Sequence, residues 1–170
     1  AVVLLVLTVV AFRYEGLPTA EVDVNDGGIW VTKADTQQVG HLNYEARILD
    51  SGFKANSAQF DIGQFEDTVT FADRSVNSII PVDVAAVRLG AATSLNEHTT
   101  VVQGGDRLGV LDASEGNLWV ADARNPSAVT FTEGTALATD LDGGVVTAGV
   151  DGTVLAVSAT AGRFTVVSPK

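Results

Sequence analysis

The chain has 170 residues and a mass of 17.6 kDa, enough for one domain with a sizeable core and too little for two ordinary ones. Its 46% hydrophobic and 18% charged residues exclude disorder driven by polarity, because ample apolar surface is available to offset chain entropy. Ten basic against 21 acidic residues leave a net charge of −11, which repels phosphate backbones and argues against a nucleic-acid partner, while the absence of cysteine removes disulfides, thiolate metal sites and a cysteine nucleophile.

Ala1 to Phe12 form an unbroken run poor in polar groups, closed by Arg13 and Tyr14. Twelve helical residues reach about 18 Å of a hydrocarbon core of about 30 Å. Three readings compete: the C-terminal part of a transmembrane or signal-anchor helix, a signal-peptide apolar region, or a buried strand. The anchor reading is favoured, because Arg13 and Tyr14 suit a membrane–water boundary and Arg13-Tyr14-Glu15 suits a cleavage site poorly. Residues 1–14 are thus expected to be a truncated anchor formed by a hydrophobic helix, residues 15–26 a connector, and residues 27–170 the folded β region. The chain carries no methionine, which fits a piece cut from something longer.

From Val22 onward short Val/Thr/Ile/Phe-rich runs alternate with Gly, Asp and Asn, the pattern of an all-β protein. Strands are predicted, in chain order, at 29–33, 38–43, 45–49, 59–62, 68–72, 78–83, 86–89, 99–103, 107–112, 117–122, 128–132, 136–140, 145–150, 153–158 and 163–167. Asp151-Gly152 predicts a tight two-residue hairpin between Val150 and Thr153. Pro81 cannot donate to a central ladder, so its strand should be an outer one or be broken there, and Asn125-Pro126-Ser127 reads as a turn.

Placing Gly116–Ala123 over Gly152–Ala159 matches the turn glycine and the apolar pattern at an offset of 36. Gly27-Gly28-Ile29-Trp30-Val31 supplies a third copy, and the segment after Ala72-Asp73-Arg74-Ser75 a weaker fourth. Recurrence near 40 residues with three or four strands per unit predicts antiparallel β-propeller-type blades, about four of them or a partial ring. An open arc of blades exposes faces that need a partner or further domains of a longer parent chain.

The Gly-Ile-Trp-Val-Thr strand, Val39-Gly40-His41-Leu42-Asn43, Val69-Thr70-Phe71-Ala72-Asp73-Arg74 and Gly116-Asn117-Leu118-Trp119-Val120 resemble the N-terminal region of large actinobacterial membrane-anchored envelope proteins. In that family a signal anchor and a β-propeller-like region precede fibronectin type III or immunoglobulin-like domains. The resemblance implies a single-pass membrane protein with its β domain on the extracytoplasmic side, and brings no catalytic residues with it.

No residue is assigned to catalysis, to a cofactor or to a metal. His41 and His98 are the only histidines, and neither sits in a nucleophile motif; the first is expected to be a half-exposed strand residue, the second a turn residue. The acidic glycine turns at 23–28 and 140–144 resemble calcium loops only in part, lacking the twelve-residue layout and the distal Glu, and read as Asx-type turns. Glu66, Asp67, Glu97 and Asp106 follow no spacing that marks a glycosidase pair. Trp30 and Trp119, at matching repeat positions, are expected to pack between blades. The expected function is therefore a non-enzymatic structural or protein-interaction module. The alternative is a ligand-binding or hydrolytic propeller with an Asp-lined central pocket.

Overall fold

The computed structural model describes residues 28–169. The hydrophobic run and the connector lie outside the described residues, and among those described no helix is long and apolar enough to cross a membrane. Among the described residues fourteen strands form four antiparallel sheets, in each of which the first three strands follow one another as a meander. Sheet 1 holds β1 (Ile29–Lys33), β2 (Gln38–Asn43) and β3 (Ile48–Lys54). Sheet 2 holds β4 (Phe60–Phe65), β5 (Thr68–Asp73) and β6 (Ser78–Asp83), with the short β7 (Arg88–Leu89) and β8 (Thr93–Ser94) both beside β6. Sheet 3 is built from β9 (Thr99–Gly104), β10 (Arg107–Asp112) and β11 (Asn117–Asp122), and sheet 4 from β12 (Val145–Ala148), β13 (Val154–Ser158) and β14 (Arg163–Val167).

Contacts run from β1 to β4, from β4 to β9 and from β9 to β12, so the sheets stack face to face in chain order as propeller blades do. Period-2 alternation in each strand supplies an apolar row for each face. Sheets 1 and 2 enclose Trp30, Val39, Val69, Phe71 and Val82. Sheets 2 and 3 enclose Ile79, Leu108, Val110 and Trp119, and sheets 3 and 4 enclose Leu111, Leu118, Val154 and Ala156.

Two glutamines join these layers. Gln64 of β4 accepts from Trp30 N (2.9 Å) and donates to Gly28 O (2.8 Å) across sheets 1 and 2. Gln103 of β9, 39 positions later, donates to Thr68 O (3.0 Å) and accepts from Thr70 Oγ1 (2.5 Å) across sheets 2 and 3. The true internal period between sheets 2 and 3 is this 39-residue step, which also superposes Asp73-x-Ser75 on Asp112-x-Ser114. Each of these aspartates accepts from the amide and the hydroxyl of the serine two residues on, at 2.9 and 2.6 Å and at 3.0 and 2.6 Å.

The offset of 36 is corrected: it overlays the third strand of sheet 3 (β11) on the middle strand of sheet 4 (β13), since both follow a glycine turn and share one apolar alternation. Trp30 and Trp119 accordingly occupy non-equivalent strands, β1 and β11, although both are buried. The predicted strand at 128–132 is absent: Pro126–Ala128 and Glu133–Thr135 are short 3-10 turns, and 136–140 contributes only a bridge from Ala138 to Leu118. The 150–153 hairpin closes one residue earlier, with Gly149 N donating to Thr153 O (2.8 Å) and only Gly152, at φ 79°, left-handed. Pro81 lies where the outer ladder of β6 is interrupted: Val82 and Asp83 pair with β7, Ser78 and Ile79 with β8.

Candidate functional site

A cleft of about 850 Å³ lies between sheets 1 and 2 at the end marked by the β4–β5 turn. Its wall is largely apolar, with Val69, Val82, Val84 and Val87 among the lining residues, and His41, Asp50, Asp67, Asp83 and Arg124 supply polar groups. β2 and β3 place His41 opposite Ser51. The imidazole of His41 is buried rather than half-exposed, stacked at a tilt against Trp30 with ring centroids 5.4 Å apart, and its Nδ1 lies 2.8 Å from Asp50 Oδ1. Burying an imidazole is costly unless a polar partner meets it, and Asp50 does so here.

Asp50 also accepts from Ser51 Oγ (3.0 Å) and Asn43 Nδ2 (3.4 Å). The His41 contact, ahead of the Ser51 hydroxyl, holds its carboxyl below the usual carboxylate range. Asp83 is lowered as well, first by the Ala86 amide and then by Arg88. Asp67 is held by Arg124 (2.7 Å), whose Nε donates to the buried Thr68 (2.8 Å), tying the turn after β11 to sheet 2. Three carboxylates thus line one cleft, and the lowered Asp50 and Asp83 are stabilised as anions. A general acid for glycoside or ester cleavage needs the opposite, a carboxyl pushed up so that it carries a proton near neutrality. The Ser51 hydroxyl hydrogen-bonds Asp50, an arrangement that differs from a nucleophile–histidine–carboxylate chain.

Of the remaining sequence candidates, His98 is an exposed turn residue at φ 64°. Asp140 is paired with Arg163 (2.9 Å), and the Asp142 carbonyl accepts from Ser158 (2.5 Å). No group of three His, Asp or Glu able to hold a metal ion occurs among the described residues. The sequence reading passed over Asp50 and Arg124, whose roles arise from pairings between strands or sheets.

A second feature is the outer face of each terminal sheet. Sheet 1 turns Trp30, Val39 and Phe53 toward sheet 2 and leaves Ile29, Val31 and Leu49 47, 37 and 64% exposed. Sheet 4 turns Val154 and Ala156 toward sheet 3 and leaves Val145, Val157, Phe164 and Val166 outward, with Phe164 67% exposed. Isolated exposed apolar residues are ordinary, whereas contiguous rows on one sheet face mark interaction surfaces.

No family model and no curated protein sequence matches the chain. Among solved structures, the fold is similar to the dihydro-heme d1 dehydrogenase NirN in complex with DHE, with a TM-score of 0.58 and 16% identity over 89% of this chain and 37% of that one. It is also similar to a catalytically inactive variant of virginiamycin B lyase from Staphylococcus aureus with quinupristin, with a TM-score of 0.51 and 16% identity over 90% of this chain and 58% of that one. The chain therefore spans well under two thirds of the length of either neighbour. Both neighbours are β-propeller proteins, and at this identity the likeness establishes the fold alone: an all-β, antiparallel propeller-type module.

Proposed function

We propose that this propeller module is a non-enzymatic structural or protein-interaction element of the cell envelope, held outside the cytoplasmic membrane by its N-terminal segment. It works with a protein partner or with further domains of a longer parent chain. The observation that carries the reading is the pair of uncovered apolar faces on sheets 1 and 4, since two such surfaces at opposite ends of a stack suit a component that is built into something larger. External protease added to bacterial spheroplasts expressing the epitope-tagged chain is expected to degrade the β domain; protection that persists until the membrane is lysed overturns the placement.

The second reading, a ligand-binding or hydrolytic propeller, is favoured by one observation, the buried His41–Asp50 pair at the edge of an 850 Å³ cleft. It predicts turnover of an ester, amide or glycoside substrate that disappears in His41→Ala while the circular-dichroism spectrum is retained. Turnover unchanged by that substitution rejects it.

A further inference from the structure

We infer that the inner edge of β1 is a strand-acceptor site, and that residues 20–25 of this chain, Ala20-Glu21-Val22-Asp23-Val24-Asn25, occupy it as the first strand of sheet 1. The inference stands on the fold and is independent of the envelope placement.

The phase of sheet 1 carries it. The ladder of β1 with β2, from Ile29↔Leu42 to Lys33↔Gln38, superposes at an offset of 40 on the ladder of β5 with β6, from Val69↔Val82 to Asp73↔Ser78. The loops agree as well. Those after β1 and β5 have four residues each and end on a left-handed residue, Gln37 at φ 57° and Asn77 at φ 47°. Those after β2 and β6 do the same with Arg47 at φ 56° and Val87 at φ 50°. Between sheets, Gln64 near the end of β4 donates to Gly28 O just before β1, as Gln103 near the end of β9 donates to Thr68 O at the start of β5. β1, β2 and β3 are thus the second, third and fourth strands of a four-stranded blade. The first place, which β4, β9 and β12 fill beside β5, β10 and β13, has no strand in it among the described residues.

A strand edge without a neighbour presents backbone donors and acceptors that another strand can pair with, and the residues leading into β1 fit this one. At the same offset of 40, Ala20–Asn25 stand in the place of β4 and Asp26-Gly27 in that of its turn, Glu66-Asp67. Asp-Gly is a preferred two-residue hairpin loop, and it falls where Glu66 and Gly105 open their turns left-handed, at φ 51° and 57°. In the register of β4 with β5, Val22 lies opposite Val31 and Val24 opposite Ile29, so the apolar row of the outer face continues across the new strand. Glu21, Asp23 and Asn25 take the places of Asp61, Gly63 and Phe65, none of which is buried, so polar side chains are tolerated there. The edge is capped at one point, where Gln64 Oε1 accepts from Trp30 N (2.9 Å). The entering strand takes over that donor and leaves Gln64 its bond to Gly28 O, the arrangement of Gln103, whose partners are two carbonyls and a hydroxyl.

The chain contains no cysteine, so introduced thiols report the register. Side chains of a non-hydrogen-bonded antiparallel pair lie close enough for a disulfide. Val22 with Val31 is such a pair, because it adjoins Trp30, whose amide points to the inner edge. The full-length chain in mild detergent, carrying Val22→Cys and Val31→Cys, is expected to oxidise to an intramolecular disulfide. Its yield should exceed that of Glu21→Cys with Val31→Cys about tenfold or more, since a shift of one residue turns the thiol to the other face. In the unaltered chain, hydrogen exchange followed by mass spectrometry is expected to show residues 20–25 protected to the level of β4. Equal disulfide yields from the two pairs, or exchange of residues 20–25 at the rate of an unstructured peptide, overturn the strand. A disulfide-linked dimer as the main product overturns pairing within the chain and gives the edge to the same segment of a second copy. External protease on spheroplasts tests the envelope placement separately, and neither result decides the other.

Discussion

A carboxylate as buried as Asp112, at 2% exposure, survives in a β core only if hydrogen bonds replace its water. Ser114 supplies its amide and hydroxyl, Glu115 its amide at 3.2 Å and Asn96 its side-chain amide at 3.3 Å. Burial pushes this carboxyl up, and the combined donors overcome it, leaving the group below its ordinary value. A carboxyl lowered on folding contributes stability that is present above its unfolded value, about 3.9, and is lost as the pH falls through the lower folded value. Asp112→Ala is therefore expected to cost about 3 kcal/mol near neutrality, because four donors lose their acceptor, measured by urea denaturation. The deficit should shrink when the titration is repeated below pH 3, and a deficit independent of pH would contradict the assignment. Trp30 and Trp119 show how the same residue type is treated differently: Trp119 Nε1 donates to Thr132 O (3.0 Å), whereas Trp30 Nε1 is buried with no acceptor among the described residues and the ring is held by Phe53 and His41.

Sheets in this chain are held to one another by a few cross-sheet devices as well as by apolar burial. Gln103 bridges β9 to the backbone of β5 and fills the space above Gly63. Gln103→Ala is expected to cost about 1–3 kcal/mol, since it strands the Thr68 carbonyl and opens a void. Gln64→Ala, its counterpart one period earlier, should do the same at the junction of sheets 1 and 2. Equal denaturation midpoints for the wild type and both variants would show that the clamps contribute nothing. Gly104 tests close approach instead: a Cβ there would collide with the Gly149 carbonyl, which is backbone and has little room to yield. Gly104→Ala should thus destabilise by about 1–3 kcal/mol through overpacking, read from the same curves. The outer ladder of sheet 2 shows the reverse situation. Pro81 has no amide to give, so β7 and β8 pair with β6 on either side of it, and Gly90 N bonds the Pro81 carbonyl at 2.8 Å in the gap.

At the scale of the whole molecule, a stack in which each sheet touches only its neighbours has a stability that is close to a sum of sheet and junction contributions. Sheets 2 and 3 are covered on both faces, and sheets 1 and 4 expose one apolar face each among the described residues. Local opening should follow that gradient. Amides of β14, an edge strand, are expected to exchange with deuterium well ahead of those of β10, which is paired on both sides, and mass-spectrometric exchange measures the difference directly. Uniform protection across the four sheets would indicate a single cooperative unit instead of a stack.

All-β class, four propeller-type units, and the strands at 29–33, 38–43, 78–83, 107–112, 117–122 and 163–167 were legible from residue order alone. Alternation, β-branched composition and turn residues are local properties, written within a few positions of one another. The repeat register was not, because two glycine turns followed by the same apolar alternation look alike whether they open a middle strand or an outer one. The 136–140 segment has strand composition yet supplies only one bridge, since a ladder depends on what its neighbour offers. The cleft, too, depends on contacts distant in sequence: His41 meets Asp50 across a β-bulge between His41 and Leu42, and Arg124 reaches Asp67 57 positions away. Sequence by itself thus determined which segments extend and where they turn, through short-range sterics and periodicity. Only the tertiary structure decided which strands are equivalent, which carboxylates share a cleft and which faces stay uncovered, because those depend on how one sheet is rotated onto the next.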